Sequence, residues 1–373
     1  MRIIHFTLGR VDPDSINGIN RVVEGLARTM NHNKIAEVQV ITLRKNLESK
    51  KREFINRDGF DVCACNCISD VLKLFSEIKE YVDLVHLHNA WSIQNVRVGA
   101  WLEKHKIPYL LTPHAAFLPD RMTRKTWRKI FFHRILQKRL LDKSAGVIAV
   151  SRDEITSISQ FTSNQNIEFV PNGSKEINWQ KYCKRQRNPE IVTVGYIGRI
   201  GREKNIKSLI KAVHLLPVEI QARLRLQIFG ELNTDYAKKC QHLALSLNVS
   251  KTVEFFGKVS ATDKWEVLGT LDAYIQPSLS EAASIAVLEA ISMALPIIAT
   301  RTSGISYWHG YPFVKMVEPV LDELKRGLEE LILDRENLLD RGLEAREFYE
   351  QNFTWNKVAK RHYEFYQSCI INN

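Results

Sequence analysis

The sequence predicts an α/β protein made of two doubly wound domains. Short apolar runs alternate with helical stretches along all 373 residues, which is typical of parallel sheets covered by helices. The alternation forms two series, and the chain is longer than the ~250–300 residues at which a single core stops growing. Residues 172–190 between the two series have the composition of a linker. We therefore predict one domain at residues 1–178 and a second at 179–353.

Runs of apolar and β-branched residues set the predicted strands of both domains. In the first domain they are Arg2–Leu8, Glu37–Leu43, Phe60–Ala64, Val82–His88, Pro108–Thr112, Gly146–Val150 and Glu168–Val170. In the second domain they are Val192–Ile197, Leu224–Phe229, Val253–Phe256, Leu271–Ile275, Pro296–Ala299 and Phe313–Met316. Helical spacing of apolar residues predicts a last helix at residues 354–373, with Thr354 as its cap.

The composition excludes several classes of protein. Hydrophobic residues make up 45% and charged residues 25% of the chain, as in soluble globular proteins, and no apolar run reaches the ~18 residues of a membrane span. The N-terminal apolar run is too short for a signal peptide, and six cysteines are too few for a disulfide scaffold, so a cytoplasmic location is expected. Cys63, Cys65 and Cys67 lack the spacing of a zinc site, so no metal is predicted.

Positive charge is concentrated in the first half of the chain. The net charge is +11, and residues 1–180 contribute +8 of it, from 27 basic and 19 acidic residues. The segment Arg121–Lys143 alone holds nine basic residues. A helical wheel places five of them on one face: Arg121, Arg124, Lys125, Arg128 and Lys129. This face suits an anionic membrane surface or is simply solvated, and nucleic acid is not an expected partner because no recognition motif accompanies it. An apolar stripe after residue 130 is predicted to pack on the domain: Phe131, Phe132, Ile135, Leu136 and Leu140.

Two glutamates eight residues apart, Glu281 and Glu289, follow a predicted strand. The first is predicted at or just before the start of a helix and the second two turns inside it, roughly 12 Å away at a rise of ~1.5 Å per residue. The amides of the helix N-terminus, near Ala283 and Ser284, offer an anion site between them. One carboxylate on a ribose, one on a hexose and a diphosphate on the amides would suit a nucleotide sugar. The alternative is a surface helix with two unrelated glutamates.

Two further candidates also follow predicted strands. Arg199 and Lys204 flank a glycine-containing turn, where a guanidinium and an ammonium could neutralise a diphosphate leaving group. The alternative for this pair is a solvated basic turn. His114 follows the fifth strand, where it could bond a sugar hydroxyl or remain a hydrogen-bonded structural histidine.

The loop after the first strand contains a third candidate. Gly18 precedes an apolar helix and would allow the backbone to approach a ligand closely. The nearby Asp12-Pro13-Asp14 has the form of a metal-binding D-x-D motif, but a proline separates its acids. We interpret it as turn chemistry.

These motifs, in their order along the chain, resemble the retaining glycosyltransferases of family 4. The resemblance rests on Gly18, His114, Asn172-Gly173, Gly198-Arg199 with Lys204, and the Glu281/Glu289 pair, and it spans essentially the whole chain. It implies the GT-B architecture, with two Rossmann-like domains facing a central cleft. The N-terminal domain would bind the acceptor and the C-terminal domain the donor, with the last helix crossing back to the first domain.

The resemblance also implies roles for individual residues. Glu289 would bind the ribose, and Glu281 and His114 the transferred sugar. Arg199 and Lys204 would bind the diphosphate, with Gly18 near the phosphate. No metal or other cofactor would be required, and front-face displacement would retain the anomeric configuration. Glycines often follow the first glutamate in this family, but here Ala282, Ala283 and Ser284 stand instead, so the sugar is not fixed.

The segment around Pro113-His114 and the basic stretch after it are similar to bacterial polysaccharide transferases. That similarity implies transfer of a hexose or HexNAc-type sugar from a UDP- or GDP-sugar to a lipid-linked glycan, such as a polyprenyl-diphosphate-linked one. The product would be a surface polysaccharide such as O-antigen of lipopolysaccharide, capsule or exopolysaccharide. The enzyme would lie peripherally on the inner face of the plasma membrane. The alternatives are a nucleotide-sugar epimerase of the same fold and a non-catalytic nucleotide-sugar or lipid-binding module.

Overall fold

The computed structural model describes residues 1–11, 18–44, 52–122, 131–185, 190–281 and 283–371. The chain divides into two compact units. Unit 1 comprises Met1–Gly173 and Trp355–Asn373, and unit 2 comprises Ser174–Thr354. The division thus falls between Gly173 and Ser174, slightly before the predicted residue 178. Each unit contains one largely parallel sheet with helices, so the predicted α/β class with two Rossmann-like domains is confirmed.

Unit 1 is built on an eight-stranded sheet with the order β3-β4-β2-β1-β5-β6-β7-β8. The strands are β1 Arg2–Leu8, β2 Glu37–Leu43, β3 Arg52–Arg57, β4 Phe60–Cys65, β5 Leu84–His88, β6 Tyr109–Thr112, β7 Gly146–Ala149 and β8 Ile167–Phe169. The order reverses beside β1, because β2 pairs with one of its edges and β5 with the other, both in parallel.

Strand β3 was missed from the sequence. It pairs antiparallel with β4 at the edge of the sheet, and its residues are Arg-Glu-Phe-Ile-Asn-Arg. An edge strand has a partner on one side only, so it needs few apolar residues, and polar residues there disfavour pairing with other chains. Phe54 of this strand is 67% exposed. A pattern search for buried strands does not detect such a segment.

The helices of unit 1 cover the sheet and include the last helix of the chain. They are α1 Gly18–His32, α2 Ile68–Ile78, α3 Ile93–Lys104, α4 Pro119–Met122, α5 Lys138–Asp142, α6 Arg152–Ser159 and α14 Trp355–Ile371. Buried apolar residues of α1 include Val23, Leu26 and Met30, all with no exposed surface. The predicted last helix therefore exists and belongs to unit 1.

Trp355, the first residue of α14, lies against two glycines. A Cβ atom on Gly25 of α1 would stand 2.3 Å from the indole ring, and one on Gly173 would stand 2.5 Å from it. Both distances are far below van der Waals contact, so any side chain at either position would displace the ring. Gly25 and Gly173 thus form the surface, called here the seat of Trp355, against which the first residue of α14 packs.

Unit 2 is built on a six-stranded parallel sheet with the order β11-β10-β9-β12-β13-β14. Its strands are β9 Val192–Ile197, β10 Leu224–Phe229, β11 Val253–Phe256, β12 Ala273–Gln276, β13 Ile297–Thr300 and β14 Val314–Val317. Its helices are α7 Ile206–His214, α8 Val218–Gln221, α9 Asp235–Ser246, α10 Lys264–Thr270, α11 Ile285–Ser292, α12 Leu321–Leu333 and α13 Leu338–Asn352. The strand order reverses between β9 and β12, which makes this pair the switch point of the sheet.

The basic segment lies only partly within the described residues. Arg124, Lys125, Arg128 and Lys129 fall outside them, and so does the side chain of Arg121. The prediction that the following apolar stripe packs on the domain is wrong in part. Leu140 is buried, but Phe131 is 67% and Ile135 55% exposed.

A π-helical turn at His133–Gln137 explains this error. A π-helical turn contains more residues than an α-helical turn, so it rotates the segment before it relative to the segment after it. A helical wheel drawn at 3.6 residues per turn therefore assigns these residues to the wrong faces. Among the described helices, none combines the length and the apolar character needed to cross a membrane.

Candidate active site

Six of the eight predicted site residues gather at the switch point of unit 2: Arg199, Lys204, Glu281, Ala283, Ser284 and Glu289. Arg199 and Lys204 lie in the loop after β9, and Glu281 lies in the loop after β12. The two loops are joined by the N–H of Leu279, which donates to the carbonyl of Glu203 at 2.8 Å. Ligands of open parallel sheets bind where the carboxyl ends of such strands diverge. The site therefore occupies the expected place for a ligand of this sheet.

Glu281 and Lys204 form an ion pair across these two loops. Their side chains are only 19% and 14% exposed, so little water screens the pair. The backbone of Glu281 is fixed as well, because its N–H donates to the carbonyl of Thr302 at 2.9 Å. The carboxylate is thus held in one position, with a cation in contact.

Glu289 is the fifth residue of α11, so it lies about one turn inside the helix rather than the predicted two. Its Oε1 lies 2.5 Å from Nζ of Lys264, at the start of α10. The side chains of Glu289 and Lys264 are 5% and 12% exposed. Each of the two glutamates is therefore paired with a different lysine, Glu281 with Lys204 of the loop after β9 and Glu289 with Lys264 of α10.

The helix that carries Glu289 begins shortly after Glu281, as predicted. Ser284 is the N-cap, and its Oγ accepts the N–H of Val287 at 3.4 Å. Ala283 is partly buried just before it, whereas Ala282 lies outside the described residues. The first-turn amides of a helix have no intrahelical acceptors and favour anions. An anion at these amides would have Glu281 before it in sequence and Glu289 after it.

Arg199 is the exposed member of this group. Its side chain is 70% exposed and contacts the carboxylate of Glu203. Its carbonyl accepts the hydroxyl of Tyr196 at 2.8 Å, and burial raises the pKa of that tyrosine. A Cβ on Gly230 would lie 2.3 Å from the carbonyl of Gly198, so this glycine allows the loops after β9 and β10 to approach closely. The arginine thus has its carbonyl held by Tyr196 and an exposed side chain that is paired with Glu203.

His114 and Gly18 belong to unit 1. His114 follows β6 and has a left-handed backbone with φ 54°, as does Ala115 with φ 64°. Such angles are strained outside glycine and need support from their surroundings. The buried carboxylate of Glu154 supplies it, accepting the N–H of Ala115 at 2.5 Å and that of Val150 at 2.9 Å. Burial raises the pKa of Glu154 to about 7.

Gly18 is the exposed first residue of α1. The segment before it, including Asp12-Pro13-Asp14, lies outside the described residues. Nearby, buried Asn20 donates to the carbonyls of Leu8 at 3.2 Å and Arg10 at 2.8 Å. An asparagine of α1 thus fixes the chain where it leaves β1.

His114 contacts a cluster of buried histidines. Nε2 of His114 lies 3.0 Å from Nδ1 of His88, and Nε2 of His88 lies 2.8 Å from Nδ1 of His5. Beside them, the ring nitrogens of His86 each lie 2.7 Å from a hydroxyl, of Tyr366 and of Thr112. Burial lowers the pKa of His5 and of His114 to about 3, and the pKa values of His86 and His88 well below the usual range.

His5, His86 and His88 each offer a nitrogen within 4.8 Å of the others, close enough to consider a metal ion. In this arrangement, however, the nitrogens of His86 and His88 already lie at hydrogen-bond distance from other groups. A metal would have to break several of these contacts. The residues fit a hydrogen-bonded cluster better than a metal centre.

Sequence reasoning missed Lys264, His5 and His88. Lys264 gave no signal, because a lysine in a polar stretch of sequence resembles any solvated lysine. His88 did give a signal: it alternates with His86 within the apolar strand β5, so both imidazoles had to be buried, and buried imidazoles need partners.

Comparisons with known proteins agree on one family. Residues 16–174 match the model described as Glycosyltransferase Family 4, and residues 180–348 match the one described as Glycosyl transferases group 1. A glycosyltransferase of Methanocaldococcus jannaschii, MJ1178, is 25% identical over 352 residues, covering 92% of each chain. The lipopolysaccharide glucosyltransferase WaaG of Escherichia coli is 31% identical over 142 residues, 38% of this chain and 35% of WaaG.

Solved structures resemble the whole chain. Sucrose-phosphate synthase from Thermosynechococcus elongatus matches with a TM-score of 0.79 at 15% identity, covering 100% of both chains. Anabaena Alr3699/HepE in complex with UDP matches with a TM-score of 0.77 at 16% identity, covering 99% of this chain and 100% of that one. At such identities the likeness establishes the shared fold.

Proposed function

Because the chain belongs to the family 4 glycosyltransferases, with a GT-B fold, we propose that it is a retaining, metal-independent hexosyltransferase. The donor would be a UDP- or GDP-sugar carrying a hexose or HexNAc-type sugar. The acceptor would be a lipid-linked glycan, such as a polyprenyl-diphosphate-linked one, in the synthesis of a bacterial surface polysaccharide. Unit 2 would bind the donor and unit 1 the acceptor.

The observation that carries this proposal is the two glutamate–lysine ion pairs at the switch point of unit 2. Two nearly buried carboxylates, of Glu281 and Glu289, lie before and within the first turns of α11, each with a lysine in contact. Carboxylates are strong acceptors for hydroxyl groups, and the helix amides favour a diphosphate. We assign the ribose to Glu289, the diphosphate to the amides near Ala283 and Ser284 with Lys204 and Arg199, and the sugar to Glu281.

The charges of this site suit a departing nucleoside diphosphate. In the proposed step the bond from C1 of the sugar to the phosphate oxygen breaks, and the oxygen keeps the electron pair. The acceptor hydroxyl bonds to C1 from the same face and gives its proton to a departing phosphate oxygen. Negative charge grows on the diphosphate, where Lys204 and Arg199 would stabilise it more than in the ground state. We propose that His114 bonds the transferred sugar and that Gly18 lies near the phosphate.

A donor screen tests the proposal directly. Purified protein is incubated with a panel of UDP- and GDP-sugars, and thermal shift identifies the donor that binds. Release of nucleoside diphosphate is then followed with and without a lipid-linked glycan extract. We expect release that depends on the acceptor, and a product with the anomeric configuration of the donor by NMR. Free sugar formed without acceptor would indicate an epimerase, and binding without any turnover would indicate a non-catalytic module.

Arg199→Ala is expected to lower kcat about ten- to a hundredfold with a smaller change in donor affinity. The reason is that a charge-assisted bond of about 1.5–3 kcal/mol to the leaving group would be lost mainly in the transition state. Steady-state kinetics with the identified donor measure both constants. Arg326→Ala is the matched control, since Arg326 is also an exposed arginine paired with a carboxylate, on α12. Wild-type kcat in Arg199→Ala would remove this arginine from the reaction.

We also propose that the segment Arg121–Lys143 binds an anionic membrane surface, which supports a peripheral location. Each basic residue near such a surface contributes about 1 kcal/mol. The exposed Phe131 and Ile135 add apolar side chains to the same segment.

Reversing the charge of Arg124, Lys125, Arg128 and Lys129 should abolish co-sedimentation with vesicles that contain anionic lipid at low salt. Phe131→Ser with Ile135→Ser should weaken it by a smaller factor, because the charges remain. The control reverses Lys238 and Lys239 on α9 of unit 2, which should leave vesicle binding unchanged. Full binding of the four-residue variant would place the membrane contact elsewhere.

A further inference from the structure

The three histidines His5, His88 and His114 form a single hydrogen-bonded chain within unit 1. Its links are the 2.8 Å contact from His5 Nδ1 to His88 Nε2 and the 3.0 Å contact from His88 Nδ1 to His114 Nε2. His5 comes from β1, His88 from the end of β5, and His114 from the turn after β6. Because β1, β5 and β6 are neighbours in the sheet, its pairing fixes the spacing of the three rings.

A neutral imidazole carries one proton, so each link has one donor and one acceptor. The rings are kept neutral by burial, which lowers the pKa of each. Only two arrangements then satisfy both links. Either every proton is on Nδ1 and the chain donates from His5 toward His114, or every proton is on Nε2 and it donates the opposite way.

His5, the histidine farthest from His114, decides between the two arrangements. Nε2 of His5 is buried and has no hydrogen-bond partner among the described residues. If the proton were on that nitrogen, a buried N–H would lack an acceptor, which is rarer in folded proteins than an acceptor that lacks a donor. The arrangement with every proton on Nδ1 avoids this orphan and is favoured.

The position of the proton matters most at His114, the last of the three hydrogen-bonded histidines. His114 is only partly buried, and within the described parts of the chain no group bonds to its Nδ1. We propose that His5 and His88 are positioning residues that hold His114 as a neutral imidazole with its proton on Nδ1. His114 would thus present a hydrogen-bond donor to its ligand, aimed from a strained turn that Glu154 supports.

The chemistry of that ligand follows from the donor. A neutral N–H seeks an oxygen lone pair, such as a hydroxyl of a donor sugar, and offers no charge to a phosphate. The identity of this ligand rests on the proposed function, whereas the position of the proton does not.

The test reads the proton directly, in the intact protein without any ligand. ¹⁵N-labelled histidine is incorporated, and His114 is assigned by its loss in His114→Gln. We expect His114 Nδ1 to show a protonated, pyrrole-type signal and Nε2 an unprotonated one, the reverse of the form that free neutral imidazole prefers. A protonated Nε2 on His114 in the wild-type protein would overturn the proposal, whatever the activity.

Variants of His5 test whether this residue sets the proton position on His114 or only fills space in the core. His5→Leu removes the first donor, so we expect His114 to shift toward the Nε2–H form and the donor KM to rise about tenfold. His5→Asn keeps an amide donor near the Nδ1 position and should restore both readouts. Tyr366→Phe is the matched control, because it removes a contact to His86 within the same cluster but leaves the chain intact.

An unchanged proton position in a folded His5→Leu would also overturn the proposal. If His5→Leu does not fold, the wild-type spectrum still decides. The expected spectrum combined with unchanged turnover of His114→Gln would support the inference and would instead remove His114 from the proposed reaction.

Discussion

Glu289→Gln is expected to weaken the binding of nucleotide sugar and of free nucleoside diphosphate equally, about ten- to a hundredfold. The carboxylate would bond ribose hydroxyls that both ligands share, and a hydrogen bond to a charged group contributes about 1.5–3 kcal/mol. Titration calorimetry with the identified donor and with its nucleoside diphosphate measures both affinities. Equal loss for both ligands would place Glu289 on the nucleotide, while loss for the sugar nucleotide alone would place it on the sugar.

The choice of glutamine matters because Glu289 contacts Lys264 in a nearly buried pair. Glu289→Ala would leave that ammonium without this carboxylate, and breaking a buried pair costs about 3–5 kcal/mol. A loss of binding in the alanine variant would then mix unfolding with the lost ribose contact. The double variant Glu289→Gln, Lys264→Gln should be more stable than Glu289→Ala by thermal unfolding.

The matched control for Glu289 is Glu254→Gln on β11. Glu254 is also an ion-paired glutamate of unit 2, but it is half-exposed and 3.8 Å from Arg225. Glu254→Gln should leave the affinities for nucleotide sugar and for nucleoside diphosphate unchanged. Wild-type nucleotide affinity in a folded Glu289→Gln would refute the ribose role.

Unit 1 is expected to lose stability steeply below about pH 6. Five histidines of unit 1 have lowered pKa values in the native protein: the buried His5, His86, His88 and His362, and the partly buried His114. Burial is the first cause in each case. In the unfolded chain these groups protonate near pH 6.5, whereas in the folded chain His362 does so only near pH 4 and His5 and His114 near pH 3. Between these limits the unfolded state binds more protons, so stability falls as the pH falls.

Glu154 acts in the opposite direction. Its pKa of about 7 lies above that of an unfolded glutamate, so from about pH 7 to 4.5 the native state holds a proton that the unfolded state has lost. Stability from this group therefore rises as the pH falls. Five histidines with lowered pKa values oppose this one carboxyl group, so the net effect near pH 5 is a loss of stability as the pH falls.

Hydrogen exchange read by mass spectrometry separates the two units, because peptides can be assigned to each. Between pH 6.5 and 5, and after correction for the intrinsic exchange rate, peptides of unit 1 should lose protection before those of unit 2. His362→Gln should reduce the slope by about 1.4 kcal/mol per pH unit, the share of one proton. His309→Gln, at an exposed position of unit 2, should not change it. Equal loss in both units would contradict the role of the histidines.

Much of the fold followed from the sequence because buried parallel strands have a strong pattern. Strands such as β1, β2 and β9 were placed to the residue, since each is an apolar run covered on both faces. The edge strand β3 and the π-turn at His133–Gln137 were not predicted. The first has no apolar pattern, and the second breaks the period on which helix prediction depends.

The candidate site could be located from the sequence, but its pairing could not. The order of Arg199, Lys204, Glu281 and Glu289 along the chain places them on loops after β9 and β12 and on α11, which is a matter of topology. That Lys204 contacts Glu281, and Lys264 contacts Glu289, depends on the packing of loops distant in sequence. The proton position on His114 depends on a nitrogen of His5 more than a hundred residues earlier.

The seat of Trp355 between Gly25 and Gly173 has a consequence for biosynthesis. Unit 1 includes α14, which follows all of unit 2 in the sequence, so the ribosome adds 330 residues after Gly25 before it reaches Trp355. At ~5–20 residues per second this takes roughly 20 to 70 seconds. Unit 2 is continuous and emerges complete before α14 does. The synthesis of unit 2 is therefore complete before unit 1 gains the helix whose tryptophan packs on Gly25 and Gly173.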